Sequence, residues 1–380
     1  MCAFLRRDVQ SVWQQHELKN RLNTYQEIFK ENKLPRYKLA RLFYVSFQTD
    51  SNLEELLEIH EQTHPKFKEW INQKQSYTIQ NLEKEVSIEH SLDEIQKLNF
   101  LQLKWVIFDK MIESCTFCEN KCSVNRKSGQ LGKCKIDDKA YVTSSFIHMG
   151  EEAPVSPSGT IFFYGCTMRC SFCQNWDISQ EYDFNRIKVR SVRSTELASM
   201  YYTLLKQGAR NINFVGGDPT PNMHVIIESF LHAQVNLPML WNSNMFLSEN
   251  SMKLISDIFD IWLPDIKYSN NECAKKYSRV SNYWDAISRN MSFIEQRGSG
   301  EYIIRHLVMP EHTKCCSIPI LDWINNNLKT PLTNIMGQYH PDYLILRGEN
   351  PEINRRPSTS EMFDVRKHAD DLKLYWKSVS

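Results

Sequence analysis

Between residues 160 and 340 the sequence alternates, six times over, between a short apolar segment of strand character and a longer segment of helical periodicity. The strand-like segments are 160–165, 211–217, 239–244, 261–267, 302–310 and 334–340. Between them, segments such as 195–206, 223–233, 248–259, 283–296 and 317–327 repeat apolar residues at the three- and four-residue spacing of a helix face. A strand that leads into a helix and then into another strand runs parallel to its neighbour, because the crossover returns the chain to the same end of the sheet. The pattern therefore predicts an α/β fold with a parallel sheet.

Successive side chains of a strand point to opposite faces, so polar residues two apart share a face. Asn213 pairs in this way with Gly217, Asn242 with Asn244, Asp265 with Lys267, and Gln338 with His340. These residues gather at the C-terminal ends of successive strands, where the loops of βα barrels build their active sites. In the fifth strand either Arg305 or His306 faces inward, but not both. The first strand leads through Gly165 into Cys166, Cys170 and Cys173, a C-x3-C-x2-C loop. Three thiolates in so short a loop suit a compact iron–sulfur cluster. Three is one too few for four irons, which leaves one iron able to accept an outside ligand.

The loop resembles that of the radical S-adenosylmethionine enzymes, in particular the pyruvate formate-lyase activating-enzyme group. The resemblance implies a partial (β/α)6 barrel of TIM type and a 4Fe–4S cluster on Cys166, Cys170 and Cys173. The amino and carboxylate groups of S-adenosylmethionine would chelate its free iron. One electron then splits the sulfonium, and the resulting 5′-deoxyadenosyl radical abstracts hydrogen from a substrate, so the expected activity is that of an oxidoreductase. It also implies cofactor contacts from Gly216 and Gly217, from Asp265 and Lys267, from Arg305 and from His340, with Phe172 bordering adenine. Asp218 stands where the family carries glutamate. A flavodoxin or ferredoxin is the implied electron donor. A glycyl-radical enzyme is the substrate of the activating group; another protein, an RNA or a small metabolite is the alternative, and a noncatalytic iron–sulfur or zinc scaffold is a third reading.

Upstream, Cys115-x2-Cys118-x3-Cys122-x11-Cys134 supplies four thiolates, a complete shell for either zinc or a second iron–sulfur cluster. Cys2, Cys273, Cys315 and Cys316 show no ligand spacing and read as ordinary small side chains. The chain thus divides into a helical region of unknown role (1–110), a four-cysteine metal-binding segment (111–150), the barrel (151–345), and a C-terminal loop and helix (346–380). Capping boxes at Ser51–Glu54 and Ser91–Glu94 start two of the N-terminal helices. His60 and His64, spaced four apart without an adjacent third ligand, read as core or surface residues.

Hydrophobic residues are 41% and charged residues 24% of the chain, the balance of a globular protein, and the net charge is +1. Such a charge gives no electrostatic reason to expect nucleic acid or an anionic membrane as partner. The basic run Arg186, Lys188, Arg190 and Arg193 reads as a solvated face. No stretch approaches the ~18 apolar residues that span a bilayer, and MCAFLRR is too short for a signal peptide, so the expected location is the cytoplasm.

Overall fold

The computed structural model describes residues 7–74, 98–181 and 188–379. Two short strands, β1 (Tyr44–Val45) and β2 (Leu98–Asn99), pair antiparallel near the N-terminal helices. The main sheet is built from β3 (Ala140–His148), β4 (Ser158–Phe163), β5 (Arg190–Val192), β6 (Ile212–Gly216), β7 (Met239–Ser243), β8 (Ile261–Pro264), β9 (Glu301–Leu307) and β10 (Leu332–Met336). Its order is β10-β9-β8-β7-β6-β4-β3-β5. The six strands from β4 to β10 that exclude β5 are mutually parallel and form the partial (β/α)6 barrel; each overlaps its expected apolar run, and β10 starts and ends earlier than the expected 334–340. The sheet does not end with those six. β3 extends it antiparallel to β4, β5 pairs antiparallel with β3, and β3 lies within the segment assigned from sequence to metal binding.

Alternation along each parallel strand sorts the core into two layers. Phe163, Phe214, Trp241 and Trp262 are buried against the helices, where Phe230 and Phe259 join them. Leu240, Leu263, Ile303 and Leu332 belong to a second buried cluster with Val9, Val12, Leu18 and Leu22 of the N-terminal helices. The first helices therefore seal one end of the barrel. Glu301 fastens them: its carboxylate accepts from the backbone N–H groups of Thr24 (2.6 Å) and Tyr25 (2.9 Å), the orphan donors at the start of helix Asn23–Phe29. Burial pushes its pKa up to about 7.

Helix Leu53–Gln73 is capped by Asn52, whose side chain accepts from Glu55 N–H, one residue later than the expected Ser51 cap. The second capping box, at Ser91, lies outside the described residues. Helix Phe100–Met111 carries Lys104, fully buried, with Nζ 2.7 Å from Asp257 Oδ2 and 2.6 Å from His60 Nε2. His64 Nδ1 meets the other Asp257 oxygen at 2.8 Å. The two histidines thus join a buried charge cluster with an aspartate in the turn that follows helix Glu249–Ile255. At the C-terminus a loop leads into helix Thr359–Asp371, started by a Ser358–Glu361 capping box. No helix among the described residues is long and apolar enough to cross a membrane.

Candidate active site

β4 delivers the chain to Gly165, whose φ of +89° turns it out of the sheet and into the cysteine loop. Cys166 and Cys170 are buried and Cys173 is partly so. Donors surround their sulfurs. Met168 N–H lies 3.4 Å and Asn244 Nδ2 3.6 Å from Cys166 Sγ; Ser278 Oγ is 3.0 Å from Cys170 Sγ, and Ser179 Oγ is 3.1 Å from Cys173 Sγ. Burial pushes all three thiols up, Cys170 to about 11. Bare thiols in this pocket therefore stay protonated, and the donors that remain in place suit sulfur once it carries negative charge.

The three cysteines line one cavity of about 260 Å³ together with Phe172, Gly216, Gly217, Asp218, Asp265, Lys267 and Arg305. Both glycines are demanded by close approach: a Cβ on Gly216, whose φ is +125°, would collide with the Phe163 backbone, and one on Gly217 with the Gly165 carbonyl. Asp218 faces inward but ties loops together, accepting from Thr220 N–H (2.9 Å) and Asn244 N–H (3.1 Å), and burial raises its pKa. Lys267 Nζ lies 2.9 Å from Asp265 Oδ2. Burial opposes its charge, yet Asp265 holds its pKa above the usual lysine value. Phe172, 4% exposed, meets Tyr339 edge-on with centroids 5.7 Å apart.

His340 is the one proposed cofactor contact that does not line this cavity. β10 stops at Met336, so His340 lies four residues past the strand, and its Nδ1 sits 3.1 Å from Pro341 O. Met336 and Gln338 occupy the lining instead.

β9 resolves its ambiguity in favour of Arg305. His306 is buried on the helix side, its ring nitrogens 2.9 Å from Ile266 O and 2.8 Å from Ser317 Oγ. Arg305 faces inward, with Nε 2.7 Å from Glu152 Oε1 and one Nη 3.2 Å from Asn242 Oδ1. Its other Nη meets Glu151 and Glu152. Asn213 donates to Glu151 at 2.9 Å and Asn334 to Glu152 at 2.8 Å. Both glutamates lie in the β3–β4 connection, and nothing in their local sequence announces an arginine more than 150 positions away. Arg305, Asn242, Val215 and Gln338 also border a second, wider chamber of about 790 Å³ that His148, Glu151, Glu152 and Arg366 help to line.

Cys115, Cys118, Cys122 and Cys134 come together around a small separate cavity. Asn120 Nδ2 (3.4 Å from Cys118), Lys133 N–H (3.3 Å from Cys122) and an Arg126 Nη (3.7 Å from Cys115) point at their sulfurs. Arg126, fully buried and invisible to motif reading, is held by the carbonyls of Asp137 and Pro221. Thr167, next to Cys166, walls the same cavity, and its carbonyl accepts from Asn120 at 2.7 Å.

A sequence profile of the radical SAM superfamily matches residues 160–324. The uncharacterized protein MJ0674 of Methanocaldococcus jannaschii is 41% identical over 283 residues, covering 74% of this chain and 81% of that protein. Among solved structures, Streptococcus suis SuiB bound to precursor peptide SuiA aligns with a TM-score of 0.42 at 11% identity, over 56% of this chain and 46% of SuiB. TYW1 with a lysine–pyruvate adduct bound aligns with a TM-score of 0.34 at 11% identity, over 56% of this chain and 73% of TYW1. The chain therefore spans less than half the length of SuiB.

Proposed function

Because the chain belongs to the radical SAM superfamily, we propose that Cys166, Cys170 and Cys173 hold a 4Fe–4S cluster and that the adjoining cavity binds S-adenosylmethionine. One observation carries the reading: the three thiols share a single cavity with Gly216, Gly217, Asp265 and Lys267, and among the described residues no fourth cysteine lines it. When bound, the cluster and S-adenosylmethionine supply one-electron cleavage of a sulfonium and, through it, hydrogen abstraction from a substrate.

The protein's own groups prepare that chemistry. Lys267 offers a fixed positive charge to a carboxylate, and Asp265, already bonded to Lys267, keeps a second oxygen for a hydroxyl donor. Pairing of β6 with β7 stops at Phe214, so the strand edge from Val215 to Gly217 on that side can receive an ammonium group. Phe172, buried against Tyr339, presents an apolar face to the cavity. The wider chamber beyond Arg305 and Asn242 suits a substrate segment larger than the cofactor, such as a loop of a glycyl-radical enzyme. Radical modification of another protein, an RNA or a metabolite is the competing assignment. Reduced flavodoxin or ferredoxin would supply the electron.

We further propose that the quartet holds a second metal centre. Zinc at about 2.3 Å from each sulfur would draw the sulfurs to within about 3.8 Å of one another. Among the described residues, the set of ligand atoms that all lie within 4.8 Å of one another is elsewhere, not at the quartet. The wider spacing favours an iron–sulfur cluster, in which each cysteine binds a different iron.

Anaerobically reconstituted protein, reduced with dithionite and given S-adenosylmethionine, is expected to form 5′-deoxyadenosine, and Cys166→Ala is expected to form none. Equal yields from the two would defeat the assignment.

A further inference from the structure

Three side chains that show no pattern in sequence converge where the loops after β8 and β9 meet. Cys273 lies in the first turn of helix Asn271–Ser278, His312 follows β9, and Cys315 lies in the π-helical turn Thr313–Ser317. Their ligand atoms all lie within 4.8 Å of one another. A fourth sulfur adjoins them, Cys316 Sγ at 3.9 Å from Cys315 Sγ. The sequence reading of these cysteines as ordinary small side chains holds for Cys316, which is packed in the core, but does not describe the convergence of Cys273 and Cys315 on His312. A cysteine kept for packing belongs in the core, whereas Cys315 is exposed.

We propose that Cys273, His312 and Cys315 bind a zinc ion. The donor set is right for it: thiolate and imidazole are the ligands zinc prefers, and the spread is that of a single ion rather than a cluster. The imidazole is also oriented for the task. His312 Nδ1 lies 2.6 Å from the Pro310 carbonyl, which can only accept, so Nδ1 carries the proton and Nε2 keeps its lone pair. Tyr277 holds the ring edge-on, with centroids 4.8 Å apart. The backbone around Cys315 is already pinned across the two loops, its carbonyl accepting from Ser269 Oγ (2.6 Å) and Asn270 Nδ2 (3.0 Å). Asn270 in turn caps the helix that presents Cys273, accepting from its N–H at 2.8 Å. Because Asp265 and Lys267 lie just upstream on the same loop, a metal here clamps one wall of the cofactor cavity to the β9 loop.

The test is the metal content of full-length protein purified without oxygen. One equivalent of zinc is expected in the unaltered protein and in Cys115→Ser/Cys118→Ser, and none in Cys273→Ser/Cys315→Ser, which keeps its iron. Zinc that survives the second pair of substitutions, or that leaves with the first pair, overturns the proposal; loss of iron alone bears only on the clusters. A second measurement needs no variant. Mass-mapped alkylation of Cys315 in the unaltered protein should accelerate roughly tenfold when a chelator removes zinc, because the metal masks the thiolate. Equal labelling with and without chelator, or a Cys273–Cys315 disulfide in protein kept reduced, also overturns it.

Discussion

Arg305 is the residue on which the barrel interior is balanced. Its guanidinium is one partly buried cation, the side chain 13% exposed, against two buried carboxylates, Glu151 and Glu152, and Asn213, Asn242 and Asn334 add further hydrogen bonds to the group. Burial disfavours the Glu151 charge, but Arg305 and then His148 more than offset this and hold its pKa below the usual carboxylate range. A depressed acid stabilises the fold above its unfolded pKa, and that stability drains away as pH falls towards the folded value. Arg305→Met should reverse the sign, since two carboxylates without a cation are stabilised by protonation. The expected cost is about 3–5 kcal/mol near neutral pH, narrowing towards about pH 4.5, and denaturant unfolding of both proteins across that range checks it. A variant whose deficit grows on acidification would refute the pairing. Gly217→Ala is a purely steric counterpart: its Cβ would strike the Gly165 carbonyl, so a loss of about 1–3 kcal/mol in stability and weaker S-adenosylmethionine binding by calorimetry are expected. The two cases differ in legibility. A Gly-Gly pair at a strand end marks close approach in any sequence, whereas the inward turn of Arg305 depends on glutamates that no local pattern connects to it.

Strands and helices were readable wherever one property dominated a run of residues. The six parallel strands each carry buried apolar residues on the face that helices cover, such as Phe163, Phe214, Trp241 and Trp262, and such runs stand out even where polar residues interrupt them on the other face. β3 mixes Thr143, Ser144 and Ser145 with Ala140, Val142 and Ile147, since half of it faces solvent near the edge of the sheet, and β5 is only three residues long. Neither carries a signal strong enough to separate it from loop. The N-terminal helices show their amphipathic faces but not their destination; for helices Leu53–Gln73 and Phe100–Met111 a buried contact helps to set it, Lys104 with Asp257, with His60 and His64 around them. Burial lowers Lys104 to about 8 despite Asp257, so this cation tolerates its place only with the carboxylate present. Asp257→Asn should therefore loosen helices Leu53–Gln73 and Phe100–Met111 before it loosens the barrel. Hydrogen exchange should show protection falling in those two helices while the β6 and β7 amides keep theirs. Uniform loss across the sheet would mean that the contact is part of the barrel core rather than a latch.

At the scale of the whole molecule, the arrangement of thiols matters more than any single set of them. Cys166, Cys170 and Cys173 face a cavity inside the barrel, and the quartet lies on the other side of Thr167, whose carbonyl is bonded to Asn120 of the quartet loop and whose hydroxyl meets Asn244 (3.0 Å from Asn244 Nδ2). Asn244 reaches back to Cys166. One layer of side chains therefore separates the two groups of sulfurs. If a protein donor supplies the electron, the quartet loop, with Lys121 and Lys133 exposed beside Cys122, offers one route by which it can reach the loop of Cys166. If the quartet carries a cluster, Cys115→Ser/Cys118→Ser should lower iron and sulfide to roughly half and leave zinc in place. Cleavage of S-adenosylmethionine driven by dithionite, a small reductant able to enter the cavity, should then persist, while cleavage driven by reduced flavodoxin should fall by at least about tenfold, a difference of about 1.4 kcal/mol in the barrier to electron delivery. Both rates are read from 5′-deoxyadenosine formed per minute by the same preparation. Equal losses under the two reductants would make the quartet a prop for the radical loop, because a structural defect at Thr167 harms cleavage whatever the source of the electron.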